Sequence, residues 1–235
     1  MLERVLVIAP HPDDDAIACG GLWQRASEGR VVYVTDGERN PLPQCVHFRT
    51  PFLTANHRVR WAAIRREEAH CSLSHLGVEA TRFLGFPDQS LMALARRGDL
   101  APRDALIREI RDFAPTLIVS PSSFDAHYDH RAIAWYVGQT GVSVPHCVTY
   151  VIHGEGPASR VELTIELTAE EQARKLAAIR CHKSQLLLSE KRFLSYATDR
   201  EVFYRAEHDL VRIESSLESF VRRARHAWFT CTGRR

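Results

Sequence analysis

Five short apolar runs recur along the chain, and they constrain the fold more than any other feature: RVLVIA (4–9), RVVYVT (30–35), TRFLGF (81–86), PTLIVS (115–120) and CVTYVI (147–152). They are rich in β-branched residues and do not alternate apolar with polar, which suits strands covered on both faces. Helical stretches separate them, at roughly 15–28, 59–76, 102–113 and 130–141. This succession predicts an α/β fold with a Rossmann-like, doubly wound and mostly parallel sheet. Ligands in such sheets bind beyond the carboxyl ends of the strands. A further run, RVELTIEL (160–167), alternates strictly and predicts a half-exposed strand, and Thr168 with Glu171 then predicts a capping box opening a helix.

A chain of 235 residues, 45% hydrophobic and 26% charged, suits one domain better than two. The formal net charge of +2 is too balanced for nucleic acid to be expected as a partner. No apolar run reaches the roughly 18 residues of a membrane helix, and MLERVLVIAP reads as a strand rather than a leader. Cys19, Cys45, Cys71, Cys147, Cys181 and Cys231 form no CxxC pair. They are expected as free thiols or small buried residues in a reducing compartment, and the protein as cytoplasmic. Residues 38–58 hold three prolines without clean periodicity, which predicts a long loop, functional or disordered, that leaves the second strand where it could overhang the same site.

The first apolar run leads directly into HPDDD (11–15). Adjacent carboxylates repel, so the turn calls for a cation. His11 and Asp14, three residues apart at a strand-to-helix turn, can converge on one divalent ion. Asp13 or Asp14 acting only as a helix cap is the plainer alternative. A second cluster, FDAHYDHRAIA (124–134), follows another strand and carries His127, Asp129 and His130. Either cluster alone is readily structural. Together, at two strand ends that a doubly wound sheet can set side by side, they favour one site.

PHPDDDAIACGG and HYDHRAIA resemble the LmbE-like (PIG-L) family of metal-dependent de-N-acetylases. The resemblance continues through VTDGE (34–38), RREEA with LGV (65–78), LGFPDQSL (84–91) and KLAAIRCHKSQ (175–185). It implies a deacetylase domain over 1–190, and the remaining residues, 191–235, are expected as a C-terminal extension packed upon it. It implies His11, Asp14 and His130 as ligands of Zn2+, with ferrous iron equally suited to two histidines and a carboxylate. Asp13 would be the general base, His127 the oxyanion stabiliser or general acid, and Asp129 the carboxylate orienting His127. Arg65, Asp88 and His182 would lie on the substrate side. On residues alone, Arg65 fits a helix-surface pair with Glu68, Asp88 a turn after Pro87, and His182 a solvent-facing helix position. The implied activity removes acetyl from an N-acetylated amino sugar of the N-acetylglucosamine type.

The family motif ends HPDDE; here Asp15 stands in the last position, which predicts a local packing change. Beyond residue 185 the resemblance fades. SSLESFVRRARHAWF (215–229) predicts an amphipathic helix that docks on the core, with contact to an anionic membrane as the lesser alternative. Three other readings are weaker. A receiver-type signalling module would hold magnesium through oxygens, against two histidines. A dehydrogenase would need GxGxxG where ACGG stands. A non-catalytic sugar-binding relative would lack catalytic residue types that are all present.

Overall fold

The computed structural model describes residues 2–206. RVLVIA forms the interior strand β1 (Arg4–Ala9), buried on both faces. The chain continues through α1 (Asp14–Trp23), β2 (Glu28–Thr35), α2 (Pro41–Phe48), α3 (Ala55–Leu76), β3 (Ala80–Phe86), α4 (Leu91–Arg96), α5 (Ala101–Phe113) and β4 (Leu117–Pro121). It then adds α6 (Tyr128–Gly138), β5 (His146–Tyr150), β6 (Val161–Glu166), α7 (Ala169–Cys181), α8 (Lys183–Leu186), α9 (Glu190–Leu194) and β7 (Arg200–Arg205). The seven strands form one sheet in the order β3-β2-β1-β4-β5-β7-β6. β3 through β5 run parallel, while β7 is antiparallel to both β5 and β6. The receiver-type alternative would show the order 2-1-3-4-5 instead.

Alternate residues of β1 feed two cores. Val5, Val7 and Ala9 pack with α1, α3 and α7 on one face. Leu6 and Ile8 pack with α4, α5 and α6 on the other. Close approach of α1 to α7 depends on the glycine pair: a Cβ on Gly20 would stand 2.7 Å from Cγ of Lys175, and one on Gly21 2.7 Å from Leu167.

Four sequence expectations change. The helix predicted over 15–28 stops at Trp23, because the amides of Ser27 and Glu28 are drawn to the carbonyls of Leu2 and Glu3 and begin β2. The loop predicted over 38–58 contains α2, started by Pro41 and capped by Asn40, whose side chain accepts from the amide of Leu42; α3 then starts at Ala55 behind a Thr54 cap. Strand β7 was not foreseen, since REVFYR carries charges at both ends and only Val202 and Phe203 between them as aliphatic or phenyl side chains. Cys71 and Cys181, expected as unpaired thiols, form a disulfide between α3 and the end of α7, a pairing across 110 residues that no local spacing announces. Cys19, Cys45 and Cys147 are free. The helix predicted over 215–229 lies outside the described residues.

Candidate active site

The strand order reverses at β1 and β4, which pair in parallel. Beyond β1 the chain turns tightly, the amide of Asp13 donating to the His11 carbonyl at 2.9 Å, and enters α1. Asp13 occupies the cap position yet its side chain makes no capping bond. The run is therefore more than a helix start. Asp14 Oδ2 accepts from the His11 amide at 2.8 Å, and stands 3.2 Å from His11 Nδ1 and 3.4 Å from His130 Nε2. Donor atoms around a tetrahedral ion with bonds of about 2.0–2.1 Å lie about 3.3 Å apart. His130 is fully buried and its Nε2 has no hydrogen-bond partner, so a donor atom aimed at Asp14 is left to another group. Two imidazoles and a carboxylate are a donor set whose chemistry suits a divalent ion.

His127 completes a ring cluster, its centroid 5.0 Å from those of both His11 and His130. Among the described residues, His11, His127 and His130 form one group whose donors could share a cation. Asp125 with His130 and His153, and His11 with Asp88 and Asp129, form two more. Arg65 is not a surface residue paired with Glu68. It is buried, its guanidinium 2.8 Å from Asp13 Oδ1 and donating to the Gly37 carbonyl. Asp88 is buried too, with Oδ2 accepting from the Arg39 amide and Oδ1 3.2 Å from His11 Nε2.

Two expectations are corrected by geometry. Asp129 does not reach the His127 ring: its oxygens accept from the amides of Gln89 and Leu91, 2.8 and 3.2 Å away, and face His11 Nε2 at 3.7 Å. It ties the β3–α4 turn to the site. His182 is not solvent-facing but wholly buried, without a partner for either ring nitrogen, and burial lowers its pKa to about 4. It lies behind the cleft wall rather than on it.

Asp125 was not singled out in the sequence, although it stands five residues before His130. Its carboxylate lies 3.1 Å from His130 Nδ1 and accepts from the amides of His127, Ile152 and His153. Such a carboxylate behind a ligating histidine fixes the ring and its tautomer. Asp15 turns away into the core, accepting from the Tyr33 hydroxyl and the Trp23 indole, and burial raises its pKa to about 6.

The charge balance shows what the site demands. Burial disfavours charge on His130, yet Asp125 and Asp14 outweigh it and push its pKa up to about 10. Burial likewise opposes charge on His11, and hydrogen bonds to Asp129 and Asp14 reverse the effect and raise it. Buried carboxylates thus draw positive charge to the two rings that face Asp14. His127 goes the other way, lowered by burial and by its neighbours His11, His130 and His153. The cleft above has a volume of about 290 Å³. Asp13, Asp88 and His127 line it, with the neutral polar Asn40, Gln89 and Gln185 around them and Arg192, Phe193 and Tyr196 of the α9 region opposite.

The family model for PIG-L, described as GlcNAc-PI de-N-acetylase, matches residues 6–140. The chain is 27% identical over 175 residues to 2'-N-acetylparomamine deacetylase of Streptomyces fradiae, covering 63% of this chain and 56% of that protein. It is 26% identical over 200 residues to a probable N-acetyl-alpha-D-glucosaminyl L-malate deacetylase 2 of Bacillus anthracis, covering 78% and 81%. Its fold matches that of N,N'-diacetylchitobiose deacetylase from Pyrococcus horikoshii with a TM-score of 0.67 at 21% identity, over 92% of this chain and 88% of the other. The chain thus spans little more than half of the first relative and most of the other two. With the family match extending over more than half of its 235 residues and across both His/Asp clusters, the chain belongs to the PIG-L family.

Proposed function

We propose that this protein hydrolyses the acetamide of an N-acetylated amino sugar of the N-acetylglucosamine type, releasing acetate and the free amine. The observation that carries the reading is the convergence of His11, Asp14 and His130 donor atoms beside the cleft carboxylate of Asp13. Those three residues would hold a divalent ion, zinc or ferrous iron. When bound, such an ion polarises the amide carbonyl and lowers the pKa of water.

The chain's own groups supply the proton transfers. Asp13 accepts the proton of the attacking water as the C–O bond forms, then returns it to the nitrogen as the C–N bond breaks. Its ion pair with Arg65, 2.8 Å long, fixes the carboxylate at the cleft wall. His127, at the cleft and with a free Nδ1, offers an N–H to the oxyanion of the tetrahedral intermediate. Asp129 positions the β3–α4 turn and, with it, Asp88 and Gln89. Asp88, Arg65 and the neutral amides of Asn40, Gln89 and Gln185 suit sugar hydroxyls.

Elemental analysis of gently purified protein, combined with acetate release from several N-acetylglucosaminides with and without chelator, tests the assignment. About one metal per chain and chelator-sensitive acetate release are expected. Chelator-insensitive release rejects the metal's part in the reaction. A metal-loaded protein inert on free, lipid-linked and natural-product N-acetylglucosaminides rejects the reaction itself.

A further inference from the structure

Large apolar side chains that stand exposed are concentrated in one place. Leu42, Val46, Phe52 and Val59 lie on α2, on the link after it and on the first turns of α3, while Leu187 and Leu188 follow α8. Among the described residues only Phe124 and Val161 are exposed in the same way elsewhere. Single exposed apolar residues are ordinary, whereas a cluster calls for an occupant. These segments adjoin one another: α2 packs on α3 and on α8, and Phe48 stacks on His57 and meets Trp61 edge-on. They also border the cleft, which Asn40 and Leu188 line. Phe52 is 81% exposed and Val59 68%, so both side chains project clear of the surface.

Along α2 and the start of α3 the charge has one sign. From residue 39 to residue 66 the chain has six arginines and no aspartate or glutamate. Arg39, Arg65 and Arg66 pair with Glu38, Asp13 and Asp36. Arg49, Arg58 and Arg60 are exposed and have no carboxylate partner among the described residues. They alternate with the apolar side chains, as Val46, Arg49, Phe52 and then Arg58, Val59, Arg60. Arg192 adds a further cation at the cleft edge.

We propose that this apolar and basic face docks on an anionic lipid bilayer, with the cleft opening towards the headgroup layer. Projecting apolar groups can enter the boundary between headgroups and acyl chains, while guanidinium groups beside them meet phosphate oxygens. An acidic protein would satisfy the arginines but leave the projecting Phe52 and Val59 without a reason to be exposed. Docking requires none of the chemistry assigned to the cleft, so vesicle binding tests it apart from acetate release.

The experiment is sedimentation of the full chain with phosphatidylcholine vesicles, with or without phosphatidylglycerol, at low and high salt. Binding is expected only where phosphatidylglycerol is present, and salt should weaken it. Each arginine near such a surface is worth about a fivefold change in partitioning. The charge reversal Arg49→Glu/Arg58→Glu should therefore lower it by well over tenfold. Phe52→Ser/Val59→Ser should also weaken it, with Val161→Ser as the remote control that changes nothing. Failure of the wild-type chain to bind overturns the proposal, as does binding unaffected by either double variant. Self-association of the chain that Phe52→Ser/Val59→Ser abolishes also overturns it, since the face would then join two copies.

Discussion

Lys175→Met tests how the α1–α7 packing that supports the site is held. Lys175 Nζ donates to Glu201 Oε1 at 2.7 Å, and both side chains are 1% exposed. The amides of Gly21 and Leu22 donate to the same carboxylate at 2.7 and 2.9 Å. At an effective dielectric of about 20, two charges at the observed 2.7 Å attract by about 6 kcal/mol. Desolvation of both ions offsets most of this, so the pair gains little over an apolar pair of the same shape. Removing only the ammonium is different, because a buried carboxylate then has two amides and no counter-charge. The expected loss is about 3–5 kcal/mol. For a chain of this size that lowers the melting temperature by roughly 10 °C. The double variant Lys175→Met/Glu201→Gln should recover at least half of the loss, a coupling that urea unfolding of all four proteins measures. A single-variant loss under about 1 kcal/mol, or a double variant no better than the sum of the singles, would refute the reasoning.

Gly20→Ala should destabilise the fold although alanine is the better helix former. Crowding against the pinned Lys175 stem, with the new Cβ 2.7 Å from its Cγ, costs about 1–3 kcal/mol against a propensity gain of about 1; a raised urea midpoint would contradict this. Asp13→Asn should keep its metal and lose about 10²–10⁴-fold in kcat, so a metal-replete, fully active variant removes Asp13 as the base. His130→Ala should lose bound metal on dialysis, and Asp125→Asn, which disturbs only the partner of His130 Nδ1, should weaken metal binding by a lesser 10–100-fold or so. Unchanged metal content in His130→Ala rejects it as a ligand.

The parallel half of the fold was legible because burial on both faces leaves a mark that needs no partner to read. β1, β2, β3, β4 and β5 all coincide with non-alternating apolar runs to within two or three residues. β7 left no such mark. Glu201 is a buried charge inside a strand, and the sequence cannot show that Lys175, 26 residues earlier, lies against it. The disulfide was hidden for the same reason, at greater range. Loop 38–58 was misread because Pro41 and Pro43 look like helix breakers, whereas proline at the start of a helix loses no hydrogen bond.

For the site, types and places were readable but partners were not. The two His/Asp clusters sit at the ends of adjacent strands because β1 and β4 flank the reversal of strand order. Sequence proximity suggested that Asp129, two residues from His127, would orient it. His127 is the extended N-cap that precedes α6 and Asp129 lies in the first turn, so closeness in sequence does not bring the carboxylate onto the ring. Asp129 instead faces His11 and the Gln89 turn. Asp125 lies before the helix begins, in a turn closed by its amide on the Ser122 carbonyl, from which its carboxylate reaches His130 Nδ1. The carboxylate that backs a histidine is thus chosen by the strand-to-helix turn, not by spacing along the chain. That rule makes Asp125, absent from the motif-based assignment, the residue on which the orientation of His130 depends, and through His130 the approach of its Nε2 to Asp14.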